Sequence, residues 1–380
     1  MSLSRRDFVQ FAATGLLLKS QLLQAQQASG QAQPAPSQPR RAPGNWGASA
    51  EASFGPSKVG LVHGDNRRKN VYEALLSIDD QVKSGLKRKK YVVIKPNNVS
   101  VTNQLAATNV DALRGILDYL EPRFKGPVII AESSAQDTLV GFDNFKYTLL
   151  PNERRSQKVS LIDLNREGKY ELLPIIDRDL HINNVRLAAR VLDPDAYVIS
   201  SAMLKTHNGL VATLSVKNMV LGSPLHSVPG ETSWNDKQKC HPDVRQAHAN
   251  MLLAAQKLQP NWGLAVIDGF EGMEGDGPSN GTLVPTHVAI ASTDLIAADR
   301  VGIEIMGINP DWVGYLNYAS RLGLGEFDLT KIEVIGPAIA SVQGKYKLHD
   351  NIQQQLRWMG PLSAAQQTSS LPPFHSYNCA

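Results

Sequence analysis

An α/β fold is predicted for this 380-residue sequence, with a mainly parallel or mixed sheet flanked by helices and two lobes around a cleft. Three observations predict it. Short apolar, β-branched runs recur along the chain, and continuously apolar runs suit strands buried on both faces. Segments with a 3.6-residue apolar period lie between them, and this alternation argues for layered α/β packing. The folded part, about 290 residues, is large for one core, which is the ground for two lobes.

The N-terminus comes first. Ser4-Arg5-Arg6-Asp7-Phe8-Val9-Gln10 precedes a modest apolar segment from Phe11 to Leu18. This resembles a twin-arginine export signal, an address read by a receptor, with Gln10 where Lys is usual. The segment is too short to span a bilayer and Gly15 interrupts it. The alternative is an amphipathic N-terminal helix, but the paired arginines stand immediately before the apolar run. Residues 1–28 are therefore read as the signal, with cleavage near Ala25 or Ala28 and no transmembrane anchor afterwards. The expected partner is the twin-arginine machinery, which carries folded proteins, and the expected location is the periplasm or beyond. Losing residues 1–28 takes the formal charge from +4 to +2. Residues 29–57, rich in Gln, Ala, Pro, Ser and Gly, read as a disordered linker.

The α/β domain is expected over residues 58–345. Its strands are Val59–His63, Tyr91–Lys95, Val128–Glu132, Val159–Leu164, Ala196–Ser201, Leu264–Asp268, His287–Ser292 and Ile332–Ile335. Val71, Leu75, Ile78 and Val82 share one helical face, as do Val110, Leu113, Leu117 and Leu120. Ala247, Met251, Ala255 and Leu258 share another. A further helix is expected from Asp294 to Met306, capped by Ser292 or Thr293 and stopped by Gly307. Residues 346–380 read as one helix followed by loose chain.

Composition removes several function classes. No basic patch with interleaved aromatics occurs, so nucleic acid is not an expected partner, and Lys87-Arg88-Lys89-Lys90 reads as a solvated connection. Cys240 and Cys379 are the only cysteines, with no CxxC, which excludes a cysteine-ligated iron–sulfur cluster in this chain. Both are expected to be free. The absence of GxSxG, Walker A and GxGxxG patterns argues against serine hydrolases, P-loop NTPases and ordinary dinucleotide enzymes.

Asp268-Gly269-Phe270-Glu271-Gly272-Met273-Glu274-Gly275-Asp276-Gly277-Pro278 holds four carboxylates and four glycines, directly after Leu264-Ala265-Val266-Ile267. A glycine-rich acidic loop at the carboxyl end of a buried strand stands where open α/β sheets bind ligands. Asp268, Glu271, Glu274 and Asp276 repel one another unless a cation or a basic group sits among them. They are candidate ligands for a divalent cation, and oxygen donors favour Mg²⁺, Mn²⁺ or Ca²⁺. A solvated surface turn is the alternative.

Lysines form the other half of the candidate site. Lys95 ends the run Val92-Val93-Ile94, Lys205 follows Val198-Ile199-Ser200-Ser201-Ala202-Met203-Leu204, and Lys217 interrupts a third apolar stretch. A lysine at the end of a buried strand is costly unless it meets an anion, either a ligand or a carboxylate of the acidic loop. His207, just after Lys205, is the preferred acid–base or metal residue. His226, His241 and His248 lie on or beside the long segment 222–249, which could close over a site. Cys240-His241-Pro242-Asp243 with His248 could ligate a metal, or these histidines are surface groups.

Several of these stretches together resemble a bacterial family labelled "domain of unknown function 362". They are Ile94-Lys95-Pro96-Asn97, Lys205-Thr206-His207, Ser215-Val216-Lys217-Asn218, the acidic stretch, and Ala291-Ser292-Thr293-Asp294-Leu295-Ile296-Ala297-Ala298-Asp299, in that order. The similarity covers about residues 58–336. Some members carry a ferredoxin-like cysteine module that this chain lacks. The resemblance implies positions and no settled reaction: Asn97, Thr206, Asn218, Gly275 and Gly277 join Lys95 as substrate-binding candidates. His207, Lys205 and Lys217 are the candidate catalytic residues.

The expected function is an exported enzyme acting on a small anionic substrate, carboxylate or phosphate, with metal assistance as an option. A periplasmic binding protein for the same ligand is the competing reading. A third keeps the acidic stretch as a structural calcium site.

Overall fold

The computed structural model describes residues 56–360 except Arg155. The export signal, nearly all of the linker, and the tail with Cys379 lie outside the described residues. Twelve strands are described: β1 (Ser57–His63), β2 (Tyr91–Lys95), β3 (Val128–Glu132), β4 (Val159–Asp163), β5 (Tyr170–Ile176), β6 (Ile182–Ala188), β7 (Ala196–His207), β8 (Val211–Thr213), β9 (Trp262–Glu274), β10 (Thr282–Val284), β11 (Val288–Ser292) and β12 (Ile332–Ile335). The eight strands read from the sequence form one path, β12-β1-β11-β9-β7-β2-β3-β4, with β10 and β8 added as short antiparallel partners of β9 and β7. β9, β7, β2, β3 and β4 run parallel, and β11 is inserted antiparallel between β9 and β1. β5 and β6 form a separate ribbon.

Both faces of the sheet are covered, as continuously apolar strands require. On one face Val92, Ile94, Leu264 and Val266 pack with Val71 and Leu75 of α1 (Arg67–Leu76) and Leu113 and Leu117 of α2 (Val110–Leu120). On the other, Val93, Val198, Ala265 and Ile267 pack with α3 (Ser215–Gly222), α4 (Val244–Leu258) and α5 (Leu295–Ile305). The two lobes expected from chain length are therefore absent. The described residues belong to one compact unit, because a sheet this wide supports a separate core on each face.

Local chemistry sets several boundaries. Val71, Leu75, Ile78 and Val82 are all buried, but α1 ends at Leu76 and a second helix starts at Asp79. Ser77 Oγ donates back to Ala74 O at the break, a bond that competes with helix continuation. Asp294, rather than Ser292 or Thr293, caps α5 by accepting from the N–H groups of Ile296 and Ala297 at 3.0 Å. Ser292 Oγ instead accepts from Asp294 N–H. At the C-terminus, Tyr346, Ile352 and Leu356 are buried, so residues 346–356 belong to the folded body and not to a loose tail. Among the described residues, no helix is long and apolar enough to cross a membrane.

Candidate functional site

β7 and β9 both outrun their expected ends, and this decides where the polar residues go. β7 is buried along all its 12 residues, through Lys205, Thr206 and His207. Of its hydroxyls, Ser200 Oγ donates to Ser215 O at 2.9 Å. β9 continues through the acidic stretch to Glu274 and shifts register opposite Met203–Lys205.

The lysine half of the site converges at the carboxyl ends of β2, β3 and β7. Lys95 Nζ donates to both oxygens of Glu132, at 3.0 and 2.8 Å, and to Asn218 Oδ1 at 3.2 Å. Asn218 Oδ1 also accepts from Asn97 Nδ2 at 3.4 Å, and Asn97 Oδ1 accepts from Lys205 Nζ at 2.7 Å. Lys205 completes its contacts on Ala106 O at 3.0 Å. One polar chain thus links four of the sequence-derived candidates across three strands and α3. Gly222, at the end of α3, lets Lys95 pass: a Cβ there would lie 2.3 Å from Nζ. A fourth lysine joins from the segment after α3, where Lys237 Nζ donates to Ser133 Oγ at 3.0 Å and Gly222 O at 3.2 Å.

Lys217 differs from the rest. Its side chain is only 8% exposed, yet among the described residues its amine has neither a hydrogen bond nor a carboxylate partner. Burial, then repulsion from Lys95, brings its pKa down to about 7. Burial lowers Lys237 to about 7 as well, although Glu132 opposes the shift. Burial and Lys217 hold Lys205 well below the usual lysine range. His207 is pushed well below the ordinary histidine value by burial, and then by Lys217 and His241. Its Nδ1 accepts from Gly209 N–H at 2.9 Å, which leaves the proton of the neutral ring on Nε2. His241 stacks over His207 at a centroid separation of 6.4 Å. The segment after residue 222 does reach the site, through Lys237 and His241.

The acidic half does not gather. Asp268, 1% exposed, pairs with Arg67 Nε at 3.1 Å, and Glu271 pairs with Arg67 Nη2 at 2.5 Å. Glu274 accepts from Lys347 N–H at 2.7 Å, and Asp276 meets His349 Nε2 at 3.0 Å. Asp268 and Glu271 meet on Arg67, while Glu274 and Asp276 turn to the segment that carries Lys347 and His349. Neither expected arrangement is seen: the acids do not form one ligand set, and their basic partners are Arg67 and His349, not Lys95, Lys205 or Lys217. Among the described residues, only Asp177, Asp179 and His181 bring three metal-type ligand atoms within 4.8 Å.

Thr206 and the glycines serve the framework. Thr206 Oγ1 donates to Gly275 O at 3.0 Å, Gly275 takes a positive φ of 72°, and a Cβ on Gly277 would lie 2.2 Å from Thr206 O. The Cys240–Asp243 cluster is dispersed. Cys240 is a free buried thiol, Asp243 caps α4, and His248 is enclosed by Tyr315 and Trp358. His226 bonds Ser134 O at 2.5 Å and lines a cavity of about 290 Å³ beyond β3 and β4, beside the lysines but not among them. Glu132, Lys237 and His349 were not candidates from sequence. Glu132 ends an apolar strand as Lys95 does, so the same signal could have found it.

These features define an α/β protein with a buried lysine site at the carboxyl ends of its parallel strands. The chain belongs to the family described as "Domain of unknown function (DUF362)", whose model matches residues 92–304. It is 29% identical over 159 residues to a thylakoid-associated protein of Synechocystis sp., which covers 42% of this chain and 46% of that protein. The chain thus spans less than half the length of this curated relative. Among solved structures it is similar to a protein from Thermotoga maritima, at 10% identity and a TM-score of 0.37, covering 69% of this chain and 59% of that one. The lactate racemase apoprotein of Thermoanaerobacterium thermosaccharolyticum is similar at 14% identity and a TM-score of 0.39, covering 66% and 57%.

Proposed function

We propose that this protein is an exported enzyme that binds a small anionic substrate, carboxylate or phosphate, among Lys95, Lys205, Lys217 and Lys237. One observation carries this reading: the Lys217 side chain is more than nine-tenths buried and its amine has no partner among the described residues, in a site that already holds three other buried lysines. Such an amine is unfavourable in an empty site and favourable beside an anion. Near neutral pH it is close to balanced between its protonated and free forms, which suits a general base or acid. His207, carrying its proton on Nε2, is the second proton-transferring group. Lys95 and Lys205, held by Glu132, Asn97 and Asn218, position the substrate and not the proton.

Twin-arginine export is part of the proposal, on the strength of Arg5-Arg6 and the short apolar segment after them. A divalent cation is not needed for this reading, since the four acids already have basic or backbone partners.

Native mass spectrometry of the protein purified from its own compartment tests the reading. A retained small anion that Lys217→Met loses is the expected result. Incubation of that complex in D₂O then separates the two functional classes. Deuterium entering the bound molecule with wild type but not with Lys217→Met marks an enzyme; a molecule held unchanged marks a binding protein.

A further inference from the structure

The lysine site has an unbalanced charge inventory. Lys95 comes from β2, Lys205 from β7, Lys217 from α3 and Lys237 from the segment after α3, and none is more than 9% exposed. Among the described residues, one buried carboxylate stands against these four amines, Glu132 at the end of β3, and it is engaged by Lys95. Among the described residues, Lys205 and Lys237 donate to neutral oxygens only, and Lys217 donates to none. The groups that face Lys217 from the surrounding elements add no compensating anion. Lys95, Lys205 and Lys237 repel it, and His207 and His241 lie within its electrostatic reach. His349, on the C-terminal segment, faces His207 and is bonded to Asp276, an acid that is 66% exposed.

The N-terminus of α3 offers no alternative explanation. Asp299 already occupies it, accepting from the N–H groups of Ser215 and Val216. Glu132 neutralises one of the four amines, so up to three cationic positions are left without a protein anion. A single negative charge would leave most of that excess in place.

We propose that the ligand of this site carries at least two negative charges, contacts Lys217 directly, and binds with uptake of a proton by the Lys217 amine. The proton comes from the buffer: a free amine in the empty site becomes an ammonium beside the anion. This rests on the anion-site reading above and narrows it to dianions, whether phosphoryl or dicarboxylate.

Isothermal titration of the full chain with inorganic phosphate, malonate and acetate, at pH 7.5–9.5 in buffers of different ionisation enthalpy, tests it. At least one of phosphate and malonate should bind about tenfold or more tightly than acetate, the worth of one further charged contact. The two dianion arms tell a phosphoryl from a dicarboxylate preference. Binding should take up close to one proton, and affinity should fall ~tenfold per pH unit across this range. Lys217→Met should weaken dianion binding about 10- to 100-fold and reduce the uptake. Lys217→Arg, which keeps its charge at every pH, should bind the dianion with less proton uptake than wild type. Acetate binding as tightly as both dianions would overturn the dianion inference while leaving the anion site standing. No binding by any of the three would overturn both. Proton uptake equal to that of wild type in folded Lys217→Met would remove Lys217 from the contact.

Discussion

Asp299 spans the first turn of the helix that carries Lys217, accepting from Ser215 N–H at 2.8 Å and from Val216 N–H at 3.0 Å. The carboxylate belongs to α5, packed beside α3, so the position of the candidate proton-transferring lysine is set from a neighbouring element. Burial raises Asp299 to about 7, although Ser215 and Val216 pull it the other way.

The sign of the resulting pH dependence follows from that direction. A carboxyl whose folded pKa exceeds its unfolded value near 4 binds more protons in the native state, so its ionisation opposes folding. That cost is absent below about pH 4, grows between about 4 and 7, and is constant above. Asp299→Asn should lower stability by about 1–2 kcal/mol at acid pH, the scale of a lost cap. The gap between wild type and variant should narrow as the pH rises to 7. Urea denaturation of both proteins at several pH values measures the gap, and a gap that widens with pH would contradict the assignment.

Lys95 and Glu132 make the second prediction. Both are at most 2% exposed and they meet at 2.8 Å. Lys95→Met leaves a buried carboxylate with Lys237 as its nearest remaining counter-charge, and should cost about 3–5 kcal/mol. Replacing both partners, as Lys95→Met with Glu132→Leu, should recover most of the loss, because no buried charge is stranded. Chemical denaturation of the two single variants and the double variant completes the cycle. Additive losses would show that the pair is not coupled.

Arg67 carries the third. It holds Asp268 and Glu271 together and lies over the Phe270 ring, 4.8 Å from its centroid. Arg67→Met strands Asp268 in the interior and should destabilise the protein by about 3–5 kcal/mol. The wild-type melting temperature should be flat with Mg²⁺, Mn²⁺ and Ca²⁺, since the acids are engaged elsewhere. A melting temperature that climbs with the concentration of one of these ions would place a cation among the carboxylates after all.

Export supplies the fourth. With Arg5 and Arg6 both replaced by Lys, the precursor should stay in the cytoplasm, with the folded part unchanged in stability. Cell fractionation and immunoblotting measure this, and a double variant that still reaches the periplasm would refute the signal.

The sheet was legible because its strands announce themselves. Val92-Val93-Ile94 and Val128-Ile129-Ile130 are apolar at every position, which fits burial on both faces and little else. The ends of β7 and β9 were not legible. Ser200, Ser201 and the glycines of the acidic stretch carry turn-like composition, and only tertiary partners such as Ser215 O and β10 keep those residues extended. The lysines could be named from position alone, since a charge at the end of an apolar run demands an explanation. Their partners could not, because Glu132, Asn97 and Asn218 meet Lys95 and Lys205 across 37 to 123 residues of sequence. Arg67 and His349 carry no local signal, and pairing with them divides the acids between two places.

Those long separations also bear on how the protein comes into being in the cell. Asn97 must find Lys205 across 108 residues, and Asp276 meets His349 only after a further 73 have been made. Contacts so distant in sequence form late and slowly. The chain still emerging from the ribosome has no assembled pocket, and a molecule destined for it can be captured only after synthesis has passed His349. If the proposed export holds, loading would fall between completion of folding and passage through the twin-arginine machinery, or in the compartment beyond.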